Sequence, residues 1–114
     1  VARVRHAGRR RLLVATGLQT AFSVLYTRLV RPGVLPLETL LERMSAGPAR
    51  IYGLPRPRIA VGAPANLVLV DLASRWVVGE QGYRSRSDNS WLAGETLAAQ
   101  VKLTLAAGKL AFAA

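Results

Sequence analysis

The sequence predicts an α/β chain in which two or three helices precede four short strands. In the first half, apolar residues recur at the spacing of one helical face. After Pro57 they alternate with polar residues or form short runs. The 114 residues suffice for one small domain, and an apolar content of 51% allows a buried core. The helical faces nevertheless find few apolar partners within the chain, so this order of elements predicts the tail of a larger fold.

The first predicted helix starts at Thr16 and ends before Arg31-Pro32-Gly33. Thr16 and Gln19 have the spacing of a capping box, in which each side chain bonds a backbone amide at the helix start. An apolar stripe follows at i, i+4, i+7 and i+11: Leu18, Phe22, Leu25 and Leu29. This spacing predicts an amphipathic helix of about three turns.

A second predicted helix begins near Pro36, because proline is tolerated in a first helical turn. Its apolar face has helical spacing and consists of Leu37, Leu40, Leu41 and Met44. Gly47-Pro48 is predicted to stop this helix. The residues from Pro48 to Tyr52 are predicted to form one further turn, which Gly53 closes.

The second half predicts strands. Leu67 to Val70 is an apolar run ended by Asp71, which indicates a strand buried on both faces. Further strands are predicted at Arg75 to Val78, at the alternating residues Val101 to Leu105, and at Leu110 to Phe112. Residues 79–96 are polar and predict a loop. Ala107-Gly108 predicts a tight turn between the last two strands, with Gly108 supplying a positive φ.

The net charge of +10 raises the hypothesis of a nucleic-acid partner, but the distribution of charge disfavours it. Five of the sixteen basic residues lie among the first eleven positions, and the others are scattered with few aromatic neighbours. The longest uncharged run, Leu12 to Thr27, is shorter than the roughly 20 apolar residues that a membrane span needs. A signal peptide also fits poorly. We therefore expect no membrane partner and a cytoplasmic location.

Four stretches carry more specific patterns. They are Gly17-Leu18-Gln19-Thr20-Ala21; Arg31-Pro32-Gly33 with Leu40 to Met44 and Pro48 to Leu54; Ile59 to Asp71; and Ser85, Ser87, Asn89-Ser90, Gly94, Leu97, Val101, Thr104 and Gly108. In this order they resemble the C-terminal segment of the dihydroorotases, especially the longer bacterial type. The third stretch resembles a signature, G-x-I-x-x-G-x-x-A-D/N-L-V-L-x-D, that other cyclic amidohydrolases share. The first and fourth together favour dihydroorotase.

The resemblance implies a (β/α)8 amidohydrolase barrel that carries a small β-sandwich domain. We therefore expect residues 1–16 to be a basic arm without family resemblance, residues 17–56 to be the last barrel helices, and residues 57–114 to be C-terminal strands of the sandwich. The implied activity is the reversible hydrolysis of dihydroorotate to carbamoyl aspartate in pyrimidine biosynthesis. In that chemistry a zinc-bound hydroxide attacks a carbonyl while an aspartate carries the proton.

The groups that this chemistry needs are missing from the sequence. The family uses several histidines, a bridging carboxylate and an aspartate, whereas His6 is the only histidine and there is no cysteine. Val14 stands where the family's substrate-binding loop has a glycine, which a β-branched residue replaces poorly. We assign no catalytic, substrate-binding or metal-binding residue and no cofactor to this chain. We expect it to be inactive alone.

The remaining polar and aromatic residues are expected to be structural. Glu38 and Glu42 share a helix face that is predicted to contact solvent, and Asp71 is predicted to cap a turn. Arg50 is expected to form an ion pair or a contact at a helix C-terminus. The aromatic residues of the second half, which are predicted to pack on the sandwich, are Trp76, Trp91 and Phe112.

Two alternatives stay open. The segment could be a non-catalytic basic interaction module for nucleic acid or for an acidic protein, or its exposed helix faces could drive self-association. The resemblance also begins abruptly at Gly17. This start is explained by a frameshift or a misplaced start upstream, or by a transplanted basic arm.

Overall fold

The computed structural model describes residues 15–114, and in them helices precede one antiparallel sheet, as predicted. The first helix consists of three consecutive segments of different helix type: a 3-10 turn Leu18–Thr20, the α-helix α1 Ala21–Leu25, and a π-helical turn Tyr26–Val30. Helices α2 Leu37–Met44 and α3 Ala46–Ile51 follow. The strands are β1 Leu67–Val77, β2 Thr96–Ala106 and β3 Lys109–Ala113. The predictions for His6, for Val14 and for most of the basic arm concern positions outside the described residues.

The first helix occupies the predicted stretch, but the predicted capping box is wrong. No side chain caps the helix at Gly17. The Thr16 hydroxyl instead donates to the carbonyl of Asn89 at 3.4 Å, and Gln19 Oε1 accepts from the N–H of Arg84 at 3.1 Å. The loop before β2 lies beside the start of the helix, so the side chains of Thr16 and Gln19 form hydrogen bonds with its backbone groups.

The boundary between α2 and α3 also differs from the prediction. Ser45, at φ −135° and ψ −81°, leaves the helical region and ends α2, whereas Gly47-Pro48 lies inside α3. Proline is tolerated there because the first N–H groups of a helix have no intrahelical acceptor. Gly53, at φ +65°, closes the helical region as predicted. The N–H of Leu54 then reaches the carbonyl of Ala49 at 2.8 Å, as in a Schellman motif.

The sheet has three strands in the order β1-β2-β3, so the prediction of four strands is wrong. The two predicted strands at Leu67 and Arg75 form one strand, because Asp71 bends the chain without ending it. Its Oδ1 accepts from the N–H groups of Ala73 and Ser74 at 3.0 and 3.1 Å. Three residues of β1, 72–74, thereby lie opposite the single residue Ala99 of β2, which is a bulge.

The predicted burial of the Leu67 to Val70 run on both faces is wrong. Val68 and Leu69 are 58% and 60% exposed. β1 is an edge strand, and no second layer covers this part of it among residues 15–114. Its apolar character is typical of a strand that is covered on both faces.

The hairpin between β2 and β3 matches the prediction. Ala106 pairs with Lys109, and the two residues between them, Ala107 and Gly108, have φ of +50° and +76°. Two positive φ values define the turn that matches the twist of the strands. Asn66 Oδ1 accepts from the N–H of Ala107 at 2.8 Å, which ties the turn to the segment before β1.

The core is small and lies where the first helix meets the start of β2. Its buried members are Val78, Leu92 and Leu97, and the partly buried Val24, Trp76 and Tyr83 pack against them. Within residues 15–114, no helix has the length and apolarity to cross a lipid bilayer.

Candidate functional site

The carboxylates of the described residues are dispersed, and those of Glu42, Asp71 and Glu95 form structural contacts. Glu42 binds Arg50 at 3.1 Å and Glu95 binds Arg28 at 2.6 Å, both on the surface. The predicted ion pair of Arg50 is confirmed, as is the turn cap at Asp71. Glu38 is exposed, and Glu42 keeps about 38% of its side chain accessible while it pairs with arginine, which agrees with the predicted solvent-facing side of the helix.

A zinc ion does not fit the residues that the structure describes. Zinc in proteins takes three or four ligands from histidine, cysteine or carboxylate side chains. Residues 15–114 contain neither histidine nor cysteine, and they bring no three carboxylates together. This segment therefore offers no donor set for metal-assisted hydrolysis.

The serines after Tyr83 build a loop. The hydroxyls of Ser85, Ser87 and Ser90 each accept a hydrogen bond, at 3.3 Å, from the N–H two residues further along the chain. These contacts are serine turns, in which a side chain replaces a backbone acceptor. Residues 15–114 contain no histidine that could act as a base for these hydroxyls, and their hydrogen bonds are to backbone N–H groups of the loop.

A seam of hydroxyl groups joins the first helix to the sheet. Ser23 is 3% exposed and donates to the carbonyl of Ala99 at 2.5 Å. Thr27 accepts from the N–H of Ala98 at 2.9 Å and donates to the carbonyl of Ser23 at 2.7 Å. Ala99 has φ +65°, so the bulge turns its carbonyl out of the strand ladder and leaves it for the helix.

The face of the first helix that meets the sheet thus carries hydroxyl groups, with Val24 beside them against the core cluster. Thr20 and Ser23 are buried, whereas Leu18, the first residue of the predicted apolar stripe, is 94% exposed. The other three members, Phe22, Leu25 and Leu29, are half-buried. The amphipathic pattern predicts the helix correctly, but the apolar stripe is not the surface that binds the sheet.

The loop before β2 also holds the start of the first helix. The N–H of Thr16 donates to the carbonyl of Asn89 at 2.9 Å, and Thr16 and Ser90 form a parallel bridge. Together with the bond from Arg84 to Gln19, these contacts fix the segment that precedes the helix. The helical half and the sheet half are therefore connected at both ends of the first helix.

A cleft of about 520 Å³ opens between the first helix, the loop at residues 79–84, the end of β1, the middle of β2 and the end of β3. Trp76 lines it, and the indole Nε1 of Trp76 is buried without a hydrogen-bond partner among the described residues. Arg84 is the one charged side chain of the lining within the described residues, and it stacks on Phe112 at 5.0 Å. Glutamines and small residues complete the wall: Gln19, Gln81, Gln100, Gly79 and Gly82.

The three aromatic residues predicted to pack on the sandwich do not form one surface. Trp76 packs on the core, as predicted. Trp91 is 53% exposed and lies under Arg28, whose guanidinium is 5.7 Å from the ring centroid. Phe112 is covered by Arg84. These arginines contact rings of the same chain, which does not support a phosphate-binding role for them.

Much of the apolar surface of the described segment faces outward. Besides Leu18, the largest exposures lie at Ile59, Val61, Ile51 and Tyr52, each of which is 77% or more accessible. They occupy the end of α3 and the extended stretch that leads to β1. Large contiguous apolar patches are rare on soluble monomers and usually mark an interaction surface.

No family model matches the chain. The chain is 38% identical to the dihydroorotase of Pediococcus pentosaceus and 41% identical to that of Lactiplantibacillus plantarum, each over 85% of this chain. It is 46% identical to the dihydroorotase of Mycobacterium leprae over 82% of this chain. The chain spans only 22 to 23% of the length of these curated relatives.

Proposed function

We propose that this chain forms the C-terminal structural segment of a dihydroorotase, because it matches that segment of the dihydroorotases. In this role it completes the fold of the enzyme and supplies no catalytic group. The match at 35 to 46% identity carries the proposal. The surface of the described residues supports it, because apolar side chains at Ile59 and Val61 need a covering layer.

The two halves of the segment have separate places in the proposed enzyme. Residues 17–56 are the last helices of a (β/α)8 barrel, and residues 57–114 are strands of a small β domain. Residues 1–16 form the arm outside the resemblance. The hydroxyl seam lies at the junction of these two parts. There the Ser23 hydroxyl, in a helix of the first part, donates at 2.5 Å to the carbonyl of Ala99, in a strand of the second.

The activity of the complete enzyme is the hydrolysis of the cyclic amide of dihydroorotate to carbamoyl aspartate, in the cytoplasm, as a step of pyrimidine biosynthesis. Zinc supplies a Lewis acid and a bound hydroxide in that reaction. The described residues offer no ligand set for it. The zinc ligands and the proton-carrying aspartate therefore belong to the remaining polypeptide, near the carboxyl ends of the barrel strands, where active sites of such barrels lie.

A chimera tests this proposal. Residues 17–114 of this chain replace the matching C-terminal segment of the Mycobacterium leprae dihydroorotase, which is 46% identical. We expect zinc-dependent hydrolysis of dihydroorotate by the chimera and none by the same enzyme truncated before that segment. A chimera that is monodisperse and melts cooperatively but is inactive would contradict the proposal, as would a chimera that fails to fold.

A further inference from the structure

The start of the first helix is held by contacts from outside the helix. No side chain caps it at Gly17, although the first N–H groups of a helix have no intrahelical acceptor. The N–H of Thr16 donates to the carbonyl of Asn89 at 2.9 Å, just before the helix. Within its first turn, Gln19 Oε1 accepts from the N–H of Arg84 at 3.1 Å. The loop before β2 therefore holds the helix start through one backbone contact and one side-chain contact.

This loop, residues 84–91, has a shape of its own that makes it a firm support. The hydroxyls of Ser85, Ser87 and Ser90 each accept a hydrogen bond at 3.3 Å from the N–H two residues further along. At the end of the loop, the ring of Trp91 lies under the guanidinium of Arg28, 5.7 Å from the ring centroid. Arg28 belongs to the last turn of the first helix, so the loop contacts both ends of that helix.

The place of this helix in the proposed enzyme gives the contact a role in the reaction. Resting on the proposed function, the first helix is a barrel helix, so the polypeptide that enters it at Gly17 connects it to a barrel strand. The connections that follow the carboxyl ends of barrel strands build the active sites of such enzymes. A displacement of about 1 Å in groups that position a substrate can cost roughly a hundredfold in rate.

We infer that the loop at residues 84–91 positions this active-site connection and that Gln19 is the positioning residue. The contact at Thr16 uses the backbone N–H, so it does not depend on which side chain stands at that position. The contact at Gln19 uses the side chain, and it fixes the helix start against the backbone of Arg84. The sheet half of this chain thereby acts on the reaction through the helix and contributes no group that touches the substrate.

The test measures the kinetics of the chimera with the Mycobacterium leprae enzyme, with and without the acceptor at Gln19. In Gln19→Ala, we expect kcat/KM for dihydroorotate to fall roughly two- to tenfold, as for the loss of one hydrogen bond. The loss should lie mainly in KM, because the connection holds the substrate before and during the reaction. Zinc content should be unchanged, and the melting temperature should stay within about 2 °C, because Gln19 is exposed.

Conservative variants separate positioning from a purely structural role. Gln19→Glu keeps an acceptor oxygen at the same reach and should restore KM to within about twofold of the unaltered chimera. Gln81→Ala removes another exposed glutamine and is the matched control, which should leave KM unchanged. If Gln19→Ala does not fold, Gln19→Asn replaces it, because this change withdraws the acceptor by about 1.5 Å and should raise KM in the same way.

The possible outcomes distinguish this inference from the proposed function. An active chimera in which Gln19→Ala lowers the melting temperature but leaves KM unchanged would overturn the inference, while the segment would still complete the enzyme. Equal increases of KM in Gln19→Ala and Gln19→Glu would also overturn it, because the acceptor would then not matter. If the unaltered chimera is inactive, the proposed function fails and the inference fails with it.

Discussion

The hydroxyl group of Ser23 is one of the contacts that link the first helix to the sheet. It donates to the carbonyl of Ala99, a residue that is fully buried and held at φ +65°. L-residues other than Asn, Asp and Gly rarely adopt this conformation, which costs roughly 1–2 kcal/mol. The bond compensates part of that cost because it satisfies a carbonyl that the bulge removes from the ladder.

Ser23→Ala should therefore destabilise the fold. The substitution leaves the Ala99 carbonyl without its donor, and we expect the free energy of unfolding to fall by about 1–3 kcal/mol. Urea unfolding of the chimera with the Mycobacterium leprae enzyme measures it. Ser45→Ala, at an exposed serine, is the matched control and should change the stability by less than about 0.5 kcal/mol. Equal effects of the two substitutions would contradict the role of the seam.

The seam could not be predicted from the sequence. Ser23 and Ala99 are 76 positions apart, and a serine in a helix carries no signal of its partner. Sequence patterns report which face is apolar, and here the apolar stripe that includes Leu18 is not the face that binds the sheet. The expectation that this chain carries no catalytic set rests, in contrast, on composition alone, since one histidine cannot form a site of several.

Hydrophobic periodicity predicts the order of the helices and strands. The structure differs from this prediction at positions where a helix or strand is irregular. In the sequence, Asp71 predicts the end of a strand because it follows an apolar run. In the structure its side chain accepts hydrogen bonds from the N–H groups of Ala73 and Ser74, and the strand continues to Val77. The apolar run predicts burial on both faces, yet Val68 and Leu69 are exposed. Such a run is typical of a strand that is covered on both faces, and no layer within residues 15–114 covers this part of β1.

The β2–β3 turn allows a test of one element. Ala107, at φ +50°, occupies the first central position of a turn in which Asn-Gly is the preferred pair. Ala107→Asn should raise the free energy of unfolding of the chimera by about 1 kcal/mol, because asparagine tolerates the left-handed region better than alanine. Thermal melting of the chimera measures the change.

Ala107→Val is the opposing control for the turn. A β-branched residue is strongly disfavoured at positive φ, so this substitution should lower the melting temperature. Because the side chain of Ala107 is exposed, loss of buried contacts does not contribute. If asparagine and valine shift the stability in the same direction, the turn conformation does not limit it.

The side chains available as metal ligands decide whether the isolated chain can be active. The isolated chain should not hydrolyse dihydroorotate, with or without added zinc, because residues 15–114 lack a metal-binding group and His6 is the one histidine. Carbamoyl aspartate formation by a purified sample measures this. Zinc-dependent turnover that persists in a His6→Ala variant and after removal of contaminating enzyme would overturn the expectation.

The isolated chain should also self-associate and lack a sharp melting transition. Three residues form the buried core cluster of the described segment, whereas Ile59 and Val61 are 90% or more exposed. Burying such side chains against another copy contributes about 1.5–3 kcal/mol each. Sedimentation velocity and differential scanning calorimetry measure the two properties.

The dependence of self-association on salt concentration distinguishes apolar association from electrostatic association. The net charge of +10 opposes contact between copies, and raising the ionic strength from about 0.01 to 1 M shortens the screening length from about 30 to 3 Å. Apolar association should therefore strengthen with salt, whereas a complex held by an acidic contaminant should weaken. Replacing Ile59 and Val61 with serine should reduce the association, and Gln81→Ser should not, because Gln81 is polar already. A monomer with a cooperative transition at high salt would show that the exposed apolar side chains do not govern the behaviour of this chain.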